Sequence, residues 1–147
     1  MDGACSAALL INWFRFFNVE CTLYVPDRVQ EGFGPNVKAL QLLGSEHSLI
    51  ICVDCGTLSH EAIESEHQSE IIVLDHHQSE INLPKAYSVV NPNRLDEKTD
   101  LQYLCAAGVS FMFLVSINRK LRSINWFKDK SIKEPNLINY LDLVSHD

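Results

Sequence analysis

The stretch Ile71-Ile72-Val73-Leu74-Asp75-His76-His77 is a short apolar run that ends in a carboxylate and two imidazoles. The run Leu49–Val53 has the same layout and ends in Asp54. Continuous apolar runs of this length are typical of strands buried on both faces, which occur in parallel sheets covered by helices. The two runs therefore predict neighbouring parallel strands of an α/β fold.

Further elements alternate around these two strands. Residues 21–25 and 87–90 are short runs rich in strand formers, and each ends before or near a proline. Helical patterns cover residues 4–17, 35–43 with Gly44 as the closing residue, a segment capped by Ser59, residues 101–121 and residues 137–144. This alternation predicts a doubly wound, mainly parallel sheet with helices on both faces.

Length and composition favour one compact domain over residues 1–147, since 46% of the residues are hydrophobic. The first apolar run has no basic residue before it and is cut short by Arg15, so it predicts neither a signal peptide nor a membrane span. Without a secretory signal, we expect reduced thiols and a cytoplasmic protein. The cysteines are Cys5, Cys21, Cys52, Cys55 and Cys105.

A net charge of −7 argues against binding nucleic acid by bulk positive charge alone. Metal ions or a local basic patch would have to help. Six of the twelve basic residues do lie close together, and they form either a solvated helix end or a DNA contact. They are Arg119, Lys120, Arg122, Lys128, Lys130 and Lys133.

Two predicted strands end in residues that can hold metal ions. In an open α/β sheet, ligands bind at the carboxyl ends of the strands, where Asp54 and the group Asp75, His76 and His77 would lie. Carboxylate oxygen and imidazole nitrogen together bind ions such as manganese or zinc, and two such ions can promote phosphoester cleavage. The alternatives are an aspartate that caps a helix and a histidine pair on the surface.

The spacing Cys52-Val53-Asp54-Cys55 also allows a redox pair or half of a zinc site. Positions three apart on a strand face opposite sides, and no second cysteine pair completes a zinc cluster. We expect two reduced thiols.

The order of several motifs resembles the catalytic core of the RecJ exonucleases, in the Asp-His-His (DHH) phosphoesterase family, over nearly the whole chain. The motifs are Asp2-Gly3-Ala4-Cys5-Ser6-Ala7, Tyr24-Val25-Pro26-Asp27-Arg28, Glu31-Gly32-Phe33-Gly34-Pro35-Asn36, Val53-Asp54-Cys55-Gly56, Asp75-His76-His77, Val90-Asn91-Pro92-Asn93, Ala107-Gly108-Val109 and Leu141-Asp142-Leu143-Val144.

The resemblance implies roles for four residues, and the position of Arg28 allows a role for a fifth. Asp54 resembles the aspartate that bridges two ions, and Asp75, His76 and His77 resemble the signature that supplies ligands, with His77 also a phosphate contact. The ions would be Mn²⁺ or Mg²⁺. Arg28 would either meet a phosphate or pair with a neighbouring carboxylate to hold its loop.

Two departures from the family pattern matter. The first motif of the family has the form Asp-x-Asp-x-Asp-Gly after a central strand, and Asp2 matches only its last aspartate, so Asp2 is not expected to be a main ligand. Asp147 lies too early to match a later ligand. We therefore expect a partial DHH domain that lacks both its first strand and a DHHA1-type second domain. We expect this chain alone to bind manganese weakly and to be an inefficient nuclease.

The leading hypothesis is a piece of a metal-dependent exonuclease that degrades single-stranded DNA from its 5′ end in repair and recombination. The first alternative is a non-catalytic remnant or binding subunit, which would have a complementary fragment or a single-stranded-DNA-binding protein as its partner. The second is a related phosphoesterase acting on short oligonucleotides or cyclic dinucleotides.

Overall fold

The computed structural model describes residues 1–27, 32 and 34–144. Apart from residues 21–25, its elements follow the predicted order of helices and strands. In chain order they are α1 (Asp2–Phe16), α2 (Val37–Glu46), β1 (Leu49–Val53), α3 (His60–Ser65), β2 (Glu70–Leu74), β3 (Ser88–Val90), α4 (Ala106–Ser123), α5 (Trp126–Asp129) and a 3-10 helix (Leu137–Leu143).

The three strands form one parallel sheet in the order β1-β2-β3. Leu49 lies opposite Glu70, and Ile72 lies opposite Ser88. Backbone pairing continues just past the strand ends, because the Asp54 N–H donates to the Leu74 carbonyl at 2.9 Å and the Asp75 N–H donates to Val90 at 3.1 Å. The polar residues that follow the strands are therefore held in register with one another.

Both faces of the sheet are covered, as the continuous apolar runs predict. On one face, side chains from α1 and α4 pack against Leu74, with Leu9 and Leu114 fully buried. On the other face, α2 and α3 pack against Val73. Because neighbouring strand residues point to opposite faces, this single strand contributes to both cores. The predicted parallel sheet with helices on both sides is confirmed.

The strand predicted over residues 21–25 is wrong. The segment is extended but belongs to no sheet, and Leu23 and Val25 are 58% and 74% exposed. Strand formers make a strand only where a partner strand is available, and none pairs with this segment among the described residues. An apolar groove of about 380 Å³ lies between the segment, α1, α2 and the edge of β1.

Two helix ends also differ from the prediction. Gly44 lies inside α2, which continues to Glu46. The absence of a side chain at Gly44 makes room for the Glu66 carboxylate. The helix predicted to start at residue 101 begins at Ala106, where the Cys105 thiol accepts the Gly108 N–H. Among the described residues, no helix combines the length and apolar character needed to cross a bilayer.

Candidate metal centre

Asp54 is turned towards the start of α1 by an unusual backbone conformation. Its φ of 58° is left-handed, a conformation that aspartate tolerates better than most residues. A Cβ added at Gly3 would lie 3.2 Å from Asp54 Oδ2, a tight contact that would require the carboxylate to shift slightly, so the glycine lets α1 begin close to the carboxylate. The glycine and the turn together fix where Asp54 points.

Asp54, His76 and His77 come together at the carboxyl edge of the sheet. Each offers one ligand atom, and these atoms lie within 4.8 Å of one another. Asp54 Oδ1 lies 3.3 Å from His76 Nε2, which confirms the expectation that β1 and β2 bring these two residues together. One carboxylate and two imidazoles are a suitable donor set for a divalent transition ion, so the residues fit the implied metal.

Asp75 is buried at the centre of a hydrogen-bond network. Its Oδ2 accepts the Thr57 N–H at 3.0 Å, and its Oδ1 accepts the N–H groups of His76 and His77. Burial alone would raise the pKa of the Asp75 carboxyl, but hydrogen bonds from Thr57 and His77 outweigh it and hold the pKa below its ordinary value. Asp75 lies outside the three-residue cluster, and its role as a metal ligand stays a prediction.

His77 is oriented by this buried carboxylate. Its Nδ1 lies 2.7 Å from Asp75 Oδ1, and an Nδ1–H that donates there leaves the Nε2 lone pair available for a cation. The hydrogen bond to Asp75 raises the pKa of His77, burial opposes it, and the charges of Asp75, Asp54 and Asp2 add to the rise. The side chain is 59% exposed, so it can still meet a ligand from solvent.

Asp2 connects the centre to α4. Its two carboxylate oxygens accept the N–H groups of Ala106 and Ala107, each at 2.6 Å, at the start of that helix. Its Oδ2 also lies 3.6 Å from His76 Nε2. The start of α4 thus uses both oxygens of Asp2 as hydrogen-bond acceptors, and the expectation that Asp2 is not a main ligand stays a prediction.

Three polar residues that were given no role from the sequence, Thr57, Asn91 and Asn93, hold the site together. The Asn91 amide donates to Thr57 Oγ1 at 2.9 Å and to the His77 carbonyl at 2.8 Å. The Asn93 amide donates to the His76 carbonyl at 2.6 Å. The signal was available, because Asn91 follows a strand in the same way as Asp54 and Asp75.

Two residues discussed from the sequence, Arg28 and Asp147, lie outside the described residues. The first of the six clustered basic residues, Arg119, lies thirteen residues along α4 from Ala106, roughly 20 Å from the Asp2 contact. One of them, Arg122, lies 3.6 Å from Glu134.

The five cysteines are free thiols, as predicted, but the argument from strand geometry was wrong. Cys52 and Cys55 pack against the same apolar cluster because the strand ends at Val53 and the chain turns at Asp54. The hydrogen bond with Cys55, together with burial, raises the pKa of the Cys52 thiol well above its ordinary value. A thiol of raised pKa is a poor nucleophile, which weakens the redox alternative.

Comparison with known protein families identifies the family to which a chain with this site belongs. Residues 1–144 match the model described as "DHH family, N-terminal domain". The chain belongs to the DHH family. The signature that names the family is the Asp75-His76-His77 run around which the centre is built.

The relatives of this DHH chain include single-stranded-DNA-specific exonucleases named RecJ, which confirms the resemblance. The RecJ of Dickeya dadantii is 36% identical over 149 residues, and that of Escherichia coli is 34% identical over 148. Both alignments cover 98% of this chain and 26% of the relative. The chain therefore spans about a quarter of the length of these relatives.

Solved structures share the DHH fold. A crystal structure of exonuclease RecJ bound to manganese has a TM-score of 0.77 at 25% identity, and covers 97% of this chain and 34% of its own. The RecJ of Thermus thermophilus in complex with Mn²⁺ has a TM-score of 0.70 at 23% identity, with 97% and 19% covered. Because its identity to this chain is only 23%, the Thermus thermophilus structure supports the fold alone.

Replacing Asp75 by asparagine is expected to lower the free energy of unfolding by about 2 kcal/mol near pH 7, because buried hydrogen bonds to a charged group are lost. Since the folded pKa of Asp75 is lowered, its charge stabilises the fold above the unfolded pKa of about 3.9, and this contribution is lost as the pH falls through the folded pKa. Urea unfolding from pH 7 to pH 3 should show the two proteins converging at acid pH. A difference that is constant with pH would contradict the assignment.

Proposed function

We propose that this chain provides part of the catalytic site of a manganese- or magnesium-dependent exonuclease that hydrolyses single-stranded DNA from its 5′ end. The observation that carries the proposal is the convergence of Asp54, His76 and His77 within 4.8 Å. The names of the relatives support single-stranded DNA as the substrate. The polarity and a role in repair and recombination belong to the proposal.

The chain's own residues would hold and orient the ions. Asp54 would bind through its carboxylate, and His76 and His77 through imidazole nitrogens, with Asp75 keeping His77 in the correct tautomer. A bound divalent ion lowers the pKa of a coordinated water and stabilises negative charge on phosphate oxygens. Asn91 and Asn93 would keep the histidine backbone fixed while the substrate binds.

The number of carboxylates in the cluster supports a site that is completed by other polypeptide. Among the described residues, the cluster contains one carboxylate, that of Asp54, and the oxygens of Asp75 and of Asp2 accept backbone N–H groups. Two ions held close together need more oxygen ligands than this. We infer that the active protein contains further carboxylates from polypeptide outside the described residues, as a continuation of the chain or as a partner.

Free thiols are consistent with a cytoplasmic location.

The experiment compares degradation of 5′-labelled single-stranded DNA, with Mn²⁺, by the wild-type chain and by His76→Ala. We expect slow, metal-dependent release of nucleotides that falls by on the order of 100-fold or more in the variant, since a metal ligand is removed. The control is His67→Ala, because His67 is exposed and lies outside the cluster. Measurable cleavage of single-stranded DNA at equal rates by His76→Ala and wild type, or equal cleavage of duplex DNA, would refute the proposal.

A further inference from the structure

An exposed tyrosine, Tyr103, follows a stretch of backbone that lies close to the histidine signature. Tyr103 is 79% exposed and comes three residues before α4. The neighbouring Gln102 carbonyl accepts a hydrogen bond of 3.4 Å from Asn93 Nδ2, the same nitrogen that donates to the His76 carbonyl at 2.6 Å. Two oxygens that share one nitrogen at these distances lie within about 6 Å of each other. The backbone next to Tyr103 therefore borders the histidine signature.

The backbone that carries this ring is tied down on both sides. The Leu104 N–H donates to the Leu101 carbonyl at 3.0 Å, and the Gln102 side chain donates to Thr99 at 2.6 Å. Cys105, two residues after Tyr103, caps α4. A ring that stands in solvent on a fixed backbone loses little conformational entropy when it binds a flat partner.

Exposure alone proves nothing, because single exposed apolar residues are common on protein surfaces. Position separates Tyr103 from the rest. Tyr87 is almost equally exposed, at 74%, but it precedes β3 and so lies at the opposite end of the sheet from the centre. The chain thus provides one exposed tyrosine next to backbone that borders the site, and a matched one at the opposite end of the sheet.

We propose that Tyr103 is a substrate-binding residue that stacks on a nucleobase of single-stranded DNA whose phosphate occupies the metal centre. This inference rests on the proposed function. A tyrosine ring can stack on any unpaired base without reading sequence, whereas the base faces of a duplex are covered by neighbouring pairs. Tyr103 would therefore favour single strands over duplexes and hold the strand next to the bound phosphate.

The test measures binding of a fluorescein-labelled oligothymidylate by anisotropy, with Ca²⁺ replacing Mn²⁺ to suppress cleavage. Tyr103→Ala is expected to raise the Kd about 10-fold, within the range for loss of one stacked base. Tyr103→Phe keeps the ring and should bind like the wild type, as should Tyr87→Ala. On an oligonucleotide of abasic sites, wild type and Tyr103→Ala should bind alike.

The outcomes separate the two proposals. If the wild type binds no single-stranded DNA with or without metal, the proposed function fails and this inference fails with it. If the wild type binds but Tyr103→Ala binds equally well, only the stacking role is overturned. A Tyr103→Phe variant as weak as Tyr103→Ala would also overturn it, because the hydroxyl rather than the ring would then make the contact.

Discussion

Replacing Asp54 by asparagine is expected to weaken Mn²⁺ binding by roughly 100-fold, because the amide keeps the shape of the side chain but removes its negative charge. Asp54 is the carboxylate of the three-residue cluster, and His76 and His77 alone provide neutral or positive ligands. Isothermal titration calorimetry at neutral pH measures the change directly.

The fold should survive this substitution. Asp54 has a φ of 58°, and asparagine tolerates that left-handed conformation as well as aspartate does. The matched control is Asp129→Asn. Asp129 is an exposed residue of α5, which follows the end of α4 opposite to the end that contacts Asp2. Unchanged Mn²⁺ affinity in Asp54→Asn, with normal thermal unfolding, would show that the ligand set has been misassigned.

The convergence of Asp54 and His76 could be predicted from sequence because it depends on two local features. Each residue follows a continuous apolar run, and parallel strands bring their carboxyl ends to the same edge of the sheet. Neither step requires knowledge of side-chain direction. The same reasoning extends to Asn91, which follows β3 and binds the His77 carbonyl.

The different surroundings of Asp75 and His77 could not be predicted in this way. Both residue types can bind metal ions, but their burial and hydrogen bonds cannot be read from the sequence. Asp75 is 2% exposed and accepts hydrogen bonds on both oxygens, whereas His77 is 59% exposed. Only the three-dimensional arrangement of the Thr57 loop against the strand end shows this difference.

The errors at residues 21–25 and at Cys55 share a physical cause. Strand propensity describes how well a residue fits a sheet, and it does not supply the partner strand that residues 21–25 lack among the described residues. For Cys55, the rule of alternation was carried past the end of the strand. The left-handed turn at Asp54 then returns the thiol to the face of Cys52.

Replacing Gly44 by alanine is expected to lower the free energy of unfolding by about 2–3 kcal/mol, although alanine is the better helix former by about 1 kcal/mol. Gly44 lies inside α2, and an added Cβ would collide with the Glu66 carboxylate. Glu66 is 7% exposed, and its Oε1 accepts the N–H groups of Gln68 and Ser69. Moving the carboxylate away would break hydrogen bonds to a buried charge, which costs more than helix propensity returns.

A double-mutant cycle tests this explanation against a general sensitivity of α2. On a Glu66→Ala background the collision is absent, so Gly44→Ala should become neutral or stabilising in urea unfolding at pH 7. Ser45→Ala, at the exposed neighbouring position, should change stability by less than about 0.5 kcal/mol. If Gly44→Ala costs the same with and without the Glu66 side chain, the glycine is required for a reason other than the close approach of this carboxylate.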